Sequence, residues 1–239
     1  MKTIAYNKTD KRELPVYPIS EAAHYLRIPA STIRWWVTGV SYHIDTGPKK
    51  YKPIIGLPED GNNLLSFINL TELHILDAIR RKHRIPLPKV RKALDFLTEH
   101  YPSNYPSNHP LAEEDFATDG KHLFAEKYGH LVNLSAEGQL AIRELLEAHL
   151  RRIERDTAGV PVRLYPYVRK KELQEPRVVV IDPYVSFGRP TLVGTGIATA
   201  VIAERFRAGE SLEELAEDYG RRQDEIEEAI RCELYPEAA

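Results

Sequence analysis

Ser31, Thr32, Arg34 and Trp35 crowd into one short stretch and form the chain's clearest chemical signal. An arginine can bridge a phosphate or read guanine, and short hydroxyls bind phosphate oxygens. On a helix these residues face outward while Ile33, Trp36 and Val37 turn inward. Lys49, Lys50 and Lys52, with the run Arg80-Arg81-Lys82-His83-Arg84, add sequence-independent attraction that salt weakens. The last predicted helix carries the opposite chemistry: Asp224, Glu225, Glu227, Glu228 and Glu233 against Arg231. Carboxylates facing phosphates cost binding energy, so this helix is assigned to a protein partner. Its expected contacts are Asp224, Glu225, Glu227, Glu228, Arg231, Leu234 and Tyr235, while Arg221 and Arg222 at the helix start can still touch a phosphate. Blander readings stay open at both ends. Any small helical hairpin shows the first pattern, with Trp35-Trp36 as core, and an acidic face can simply be solvated.

Other chemistries find little support. No Ser/His/Asp set or carboxylate pair stands out, and the nine histidines lack metal-ligand spacing. His74 and His149 fall on predicted helices, His122 and His130 in a predicted hairpin. The glycine-rich stretch 188–196 lacks both the Gly-Lys-Ser/Thr ending of a phosphate loop and GxGxxG spacing, and reads as a strand-to-helix turn. The single cysteine, Cys232, forms no internal disulfide and no CxxC site. The expectation is a protein that is not an enzyme and takes no metal and no cofactor.

The elements that position these residues follow from caps and periodicity. Ser20 is read as the N-cap of a short helix with Ala22, Ala23 and Leu26 as its apolar positions. Ser31 is read as the cap of a second, with Arg27-Ile28-Pro29 between them and Gly39 at the end. Two short helices across so tight a turn read as helix-turn-helix. Residues 40–68 lack helical periodicity and suit a basic, strand-rich wing. Asn69 with Glu72 signals the cap of a helix through Leu73, Leu76 and Ile79, and Pro86 and Pro88 open another carrying Val90, Leu94 and Leu97. YPSNYPSNHP (101–110) is the clearest linker. Phe116 to Leu134 then reads as a hairpin turning at Asp119-Gly120. Residues 136–156 read as a long amphipathic helix with Leu140, Leu145, Leu146, Leu150 and Ile153 on one side, either a dimer seam or packed on its own hairpin. Two strand-like runs, VRLYPYV and RVVVIDPYV, precede a three-helix module. Its helices span about 198–208, from a capping box at Ser211 and Glu214 to Gly220, and about 224–234.

The fold class expected is therefore mainly α with small β hairpins and a wing (α+β). Its parts are a winged helix-turn-helix over 1–100, a linker over 101–110, a hairpin plus long helix over 111–176, and a helical module over 177–239. The formal net charge of -2 hides a gradient. Residues 1–100 hold 16 Lys+Arg against 10 Asp+Glu, and residues 197–239 hold 5 against 12. Such separation suggests two surfaces with different partners, nucleic acid at the front and protein at the rear. The start lacks a signal-peptide core and no stretch reaches bilayer length, so a cytoplasmic protein without membrane contact is expected.

Two resemblances sharpen this. ISEAAHYLRIPASTIRWW resembles the start of the MerR-type winged helix-turn-helix, with Thr32, Ile33, Arg34, Trp35 and Trp36 on its recognition-helix motif. The resemblance covers about residues 17–97 and implies that Arg34 and Trp35 touch the DNA backbone. The wing here, about thirty residues, is longer than usual. Residues 186–233 resemble domain-of-unknown-function family 433, many of whose members are VapB-type antitoxins. Gly188-Arg189-Pro190, Gly194-Thr195, Gly209, Glu213-Glu214-Leu215-Ala216, Ile226 and Ala229-Ile230 carry the likeness. Many members have Gly-Thr-Arg-Ile where this chain has Gly194-Thr195-Gly196-Ile197. Together the resemblances imply an antitoxin of a type II toxin–antitoxin pair: a homodimer that binds operator DNA, represses its own operon and neutralises a PIN-like ribonuclease toxin. The alternative they leave is a stand-alone MerR-type regulator without a toxin.

Overall fold

Proline decides where the first two helices begin. In a computed structural model of the protein, α1 (Ile19–Leu26) starts directly after Pro18 and α2 (Ala30–Thr38) directly after Pro29. Proline fixes φ near the value a helix entry needs and has no N–H to satisfy. Ser20 and Ser31, expected to be caps, therefore lie inside the helices, and neither start has a side-chain cap. Residues 10–44, 47–58, 62–81, 87–88, 90–92, 94, 109, 111–112, 136–168 and 175–234 are described by the structure.

Arg27 closes α1 in the left-handed region (φ 56°), and Ile28-Pro29 lead straight into α2. Gly39 ends α2 with φ 76° and ψ 179°, and a Cβ there would lie 2.2 Å from the carbonyl oxygen of Tyr51. Only glycine lets the chain cross its neighbour so closely. β1 (Val40–Ile44) and β2 (Gly47–Tyr51) then pair antiparallel, Val40 opposite Tyr51 and Ile44 opposite Gly47. This hairpin takes up the first part of the stretch, residues 40–68, read as a strand-rich wing.

The cap of α3 (Phe67–Arg81) is Ser66, not Asn69. Ser66 Oγ accepts from the Asn69 N–H at 3.2 Å, and Asn69 Oδ1 accepts from the Ser66 N–H at 3.0 Å. Glu72 Oε2 accepts from the Asn69 side-chain amide at 3.3 Å and lies 2.9 Å from buried His109. α3 is the central helix: Ile68, Leu70, Leu73, Ile75, Leu76 and Ile79 are all buried. Beyond it, residues 87–88, 90–92 and 94 are helical, with Val90 and Leu94 buried. Leu97, the hairpin expected over 116–134 and most of the expected linker lie outside the described residues.

The long helix is shorter than expected. α4 (Ala136–Leu150) stops before Arg152, whose buried guanidinium turns inward to donate to the carbonyls of Tyr165 (2.6 Å), Glu175 (2.7 Å) and Pro166 (3.1 Å). Ile153 belongs instead to β3 (Ile153–Arg155), paired with β4 (Pro161–Leu164). α4 packs against α3, with Leu146 and Leu150 in the main core and Leu140 left exposed.

The two rear strand-like runs contract to β4 and to β5 (Val179–Val180), the latter paired with β6 (Thr191–Leu192). Then come α5 (Thr199–Arg207), α6 (Leu212–Tyr219) and α7 (Gln223–Leu234). The expected Ser211–Glu214 capping box is formed, and Gly220 closes α6 in the left-handed region. Leu192, Ile202, Leu215, Ile226, Ala229 and Ile230 make a second core. The fold is mainly α with small antiparallel hairpins, as expected.

Polar contacts fasten the rear module to the front. The Tyr17 hydroxyl donates to the Gly188 carbonyl at 2.9 Å, and Arg27 donates to the Arg231 carbonyl at 2.7 Å. His24 Nε2 lies 3.3 Å from Glu233 Oε2.

Candidate nucleic-acid interface

The second helix divides as its wheel predicts. Ile33, Trp36 and Val37 are buried, Ser31 and Arg34 are exposed, and Thr32 is half-buried. The two tryptophans separate sharply: Trp36 is 1% exposed and Trp35 is 56% exposed. An indole left so far in water is unusual for a residue of that size and marks a contact surface more readily than a core. The blander reading, with both tryptophans inside, therefore fails for Trp35 and holds for Trp36.

The helix is held from behind. The Trp36 carbonyl accepts from the N–H groups of Ile54 (2.8 Å) and Ile55 (3.2 Å), which ties the segment after the wing to the middle of α2. The Arg80 guanidinium stands 6.0 Å from the centre of the Trp36 ring, so it lies beside the helix–wing junction. Arg81 is the last residue of α3. Lys49 and Lys50 lie on β2 opposite Tyr42 and Ser41, and Lys52 is exposed just past the strand. Arg91 donates to the Lys52 carbonyl, which pins that end of the wing to the helical stretch behind it. α2, the β1–β2 hairpin and the C-terminal end of α3 thus form one assembly.

The acidic helix is less available than its composition suggests. Asp224 is exposed but takes the Arg222 guanidinium at 2.8 Å. That hydrogen bond holds its carboxyl below the usual carboxylate value. Glu225 is half-buried and pairs with Arg221 at 2.7 Å, and exposed Glu227 pairs with half-buried Arg231. Glu228, expected on the outward face, is 2% exposed and stands 3.6 Å from Arg231. Glu233 faces inward too. Burial pushes its carboxyl up, but hydrogen bonds from His24 and Thr199 outweigh this and leave it below the ordinary value. Leu234 is exposed, and Tyr235 lies outside the described residues.

Sequence reasoning missed two surface features. Glu213 and Glu217 stand exposed one turn apart on α6, and the capping pattern that located the helix carried that spacing. Phe187 is 94% exposed on a left-handed turn, and nothing in its sequence neighbourhood announces it.

Among the described residues no group of three or more His, Cys, Asp and Glu side chains is arranged to hold a metal ion, and no helix is long and apolar enough to cross a membrane. His74 and His149 are buried together, ring centres 4.9 Å apart, beside Tyr167. Burial pushes the Cys232 thiol up to about 12, which keeps it protonated and unreactive.

Comparison with known proteins agrees with this division. Residues 15–94 match the family described as "Putative DNA-binding HTH domain". Residues 179–231 match the family described as "Protein of unknown function (DUF433)". A Mycobacterium tuberculosis protein named "Putative antitoxin VapB45" is 28% identical over 91% of this chain and 93% of its own. A second from the same organism, "Uncharacterized protein Rv2308", is 25% identical over 93% of this chain and 91% of its own. The crystal structure of Rv2018 from M. tuberculosis superposes with a TM-score of 0.62 at 23% identity, covering 91% of this chain and 98% of that chain. That last likeness concerns the fold alone.

Proposed function

Because the chain carries a helix-turn-helix domain at its front and a DUF433 domain at its rear, we propose that it is the antitoxin of a type II toxin–antitoxin pair. It binds operator DNA as a homodimer, represses its own operon and neutralises a PIN-like ribonuclease. The observation that carries the DNA half is the outward face of α2, where Ser31, Arg34 and a 56% exposed Trp35 stand together over a buried Trp36. The likeness of nearly the whole chain to a protein named as an antitoxin supports the other half. On this reading Lys49, Lys50, Lys52, Arg80 and Arg81 supply backbone attraction. On α7, Asp224, Glu227 and Leu234 remain as outward toxin contacts, with Glu225 and Arg231 half-covered beside them.

The test has two arms. Binding to the promoter of the chain's own operon, read by fluorescence anisotropy, is salt-dependent and falls at least ~10-fold in Arg34→Glu. Unchanged affinity overturns the DNA assignment. Co-expression with the product of the adjacent gene yields a stable complex without ribonuclease activity. A stand-alone regulator, the second reading, binds the promoter but forms no such complex. The internal clasp of α7 on α1, which uses Arg231 and Glu233 within the chain, is the observation that favours it.

A further inference from the structure

α1 and α2 share one core, yet their polar fastenings differ. Ala22 and Leu26 pack with Ile33 and Trp36, which keeps the helices together, but apolar packing has little directionality. α2 is fixed from the front: its Trp36 carbonyl takes the Ile54 and Ile55 N–H groups, and Gly39 crosses close to the Tyr51 carbonyl. Just before α1, buried Tyr17 pairs with the Leu65 backbone and sends its hydroxyl back to the Gly188 carbonyl at 2.9 Å. At the far end of α1 the side-chain contacts run to the rear module. His24 Nε2 lies 3.3 Å from Glu233 Oε2, and Arg27 donates to the Arg231 carbonyl at 2.7 Å.

Arg27 is itself the joint between the two helices. It closes α1 in the left-handed region (φ 56°), and its N–H bonds back to the His24 carbonyl at 3.4 Å. Glycine adopts that conformation without steric cost, but glycine cannot reach α7. The acceptor is apt. Arg231 lies in the last turn of α7, where backbone carbonyls have no partner within the helix and a cation is favoured. Glu233 is fixed too, since Thr199 donates to its other carboxylate oxygen.

We propose that the rear module is part of the DNA-reading unit, with Arg27 as a positioning residue: by holding the last turn of α1, α7 sets the angle at which α1 meets α2. The proposal rests on the reading of the front helices as a DNA-binding pair. In such a pair the second helix enters the major groove while the first crosses the backbone, so both engage one duplex only at the right mutual angle. The family match over residues 15–94 ends well before the α7 side of these contacts. Arg27 and Glu233 act through α1 and make no contact with DNA themselves.

The test uses the full-length chain and two duplexes, the promoter of its own operon and an unrelated sequence of equal length, with anisotropy read at several salt concentrations. Glu233→Ala weakens promoter binding at least ~5-fold, a fraction of what a hydrogen bond to a charged group is worth, and leaves the unrelated duplex within ~2-fold. Removing a carboxylate lessens repulsion from phosphates, so charge alone would raise both affinities; a fall at the promoter marks positioning. Glu233→Gln removes the same charge but can still meet His24 and Thr199, and it keeps most of the promoter affinity. Arg27→Gly keeps the left-handed turn, loses the contact with α7 and weakens promoter binding at least ~5-fold with an unaltered salt slope. Thermal midpoints stay within about 4 °C of the wild type. Equal loss on both duplexes with a salt slope reduced by about one makes Arg27 a phosphate contact and overturns the proposal. So does unchanged promoter affinity in Glu233→Ala or Arg27→Gly, or a loss that appears only where the variant is partly unfolded. A wild-type chain that ignores the promoter overturns the DNA reading itself, and this role with it.

Discussion

His109 is the perturbation with the clearest physical size. It sits buried between two carboxylates, with Nδ1 2.9 Å from Glu72 Oε2 and Nε2 3.4 Å from Glu13 Oε2. Burial pushes its pKa down, but the two carboxylates outweigh burial and raise it from 6.5 to about 10. A raised histidine stabilises the fold fully below the unfolded value, and that stability drains as pH climbs through the folded one. Each pH unit in that window removes about 1.4 kcal/mol, so ~2 kcal/mol disappears between pH 7.5 and 9. Cys232 adds an alkaline loss of its own only above its ordinary value of 9.0, outside this window. Urea unfolding followed by circular dichroism at pH 6, 7.5 and 9 reads the slope directly. His109→Gln leaves Glu72, almost wholly buried, facing Glu13 without a cation between them. That costs ~3–5 kcal/mol at pH 6, and the variant loses the alkaline slope. A wild-type midpoint that is flat from pH 7.5 to 9, or a variant that keeps the slope, refutes the assignment of the charge to His109.

Other expectations follow from the same geometry. Trp36→Ala lowers stability by ~3–5 kcal/mol in denaturant titration, whereas Trp35→Ala changes it by less than about 0.5 kcal/mol yet weakens operator binding. Equal destabilisation by both would contradict their separate placement. Gly39→Ala forces a Cβ against the Tyr51 carbonyl and costs more than about 1 kcal/mol; amide exchange in the wing should accelerate, and unaltered protection there would argue against the close crossing. Ser211→Ala removes one half of the capping box and lowers stability by ~1 kcal/mol, with loss of exchange protection concentrated in the first turn of α6.

Legibility in the sequence varied with the range of the forces involved. Local chemistry was plain: Ser211 and Glu214 close a reciprocal cap within a single turn, and the alternation of Ile33, Arg34, Trp35 and Trp36 fixes which side of α2 faces water. The errors arose where a distant group intervened. Asn69 and Glu72 resemble a cap, but the Asn69 side chain answers Ser66 and the Gly56 carbonyl from inside α3, Glu72 also meets distant His109, and the cap is Ser66. Arg152 looks like one more polar turn of a long helix. Only the carbonyls of Tyr165, Pro166 and Glu175, supplied by later residues, draw it inward and end α4 at Leu150. Composition gives charge without depth, so Glu228 and Glu233 read like their exposed neighbours although both face inward. Phe187 was invisible because a left-handed aromatic turn has no signature of its own when its brace, Tyr17, lies at the other end of the chain.

The clasp between the closing helix and the opening one joins two ends that the charge gradient sets apart. Arg27 terminates α1 of the helix-turn-helix, and its guanidinium is satisfied by the Arg231 carbonyl, while His24 on the same helix leans on Glu233. Movement of the last turn of α7 away from α1 breaks both contacts at once. A displacement of the last turn of α7 therefore changes the surroundings of α1 directly, with no hinge between them.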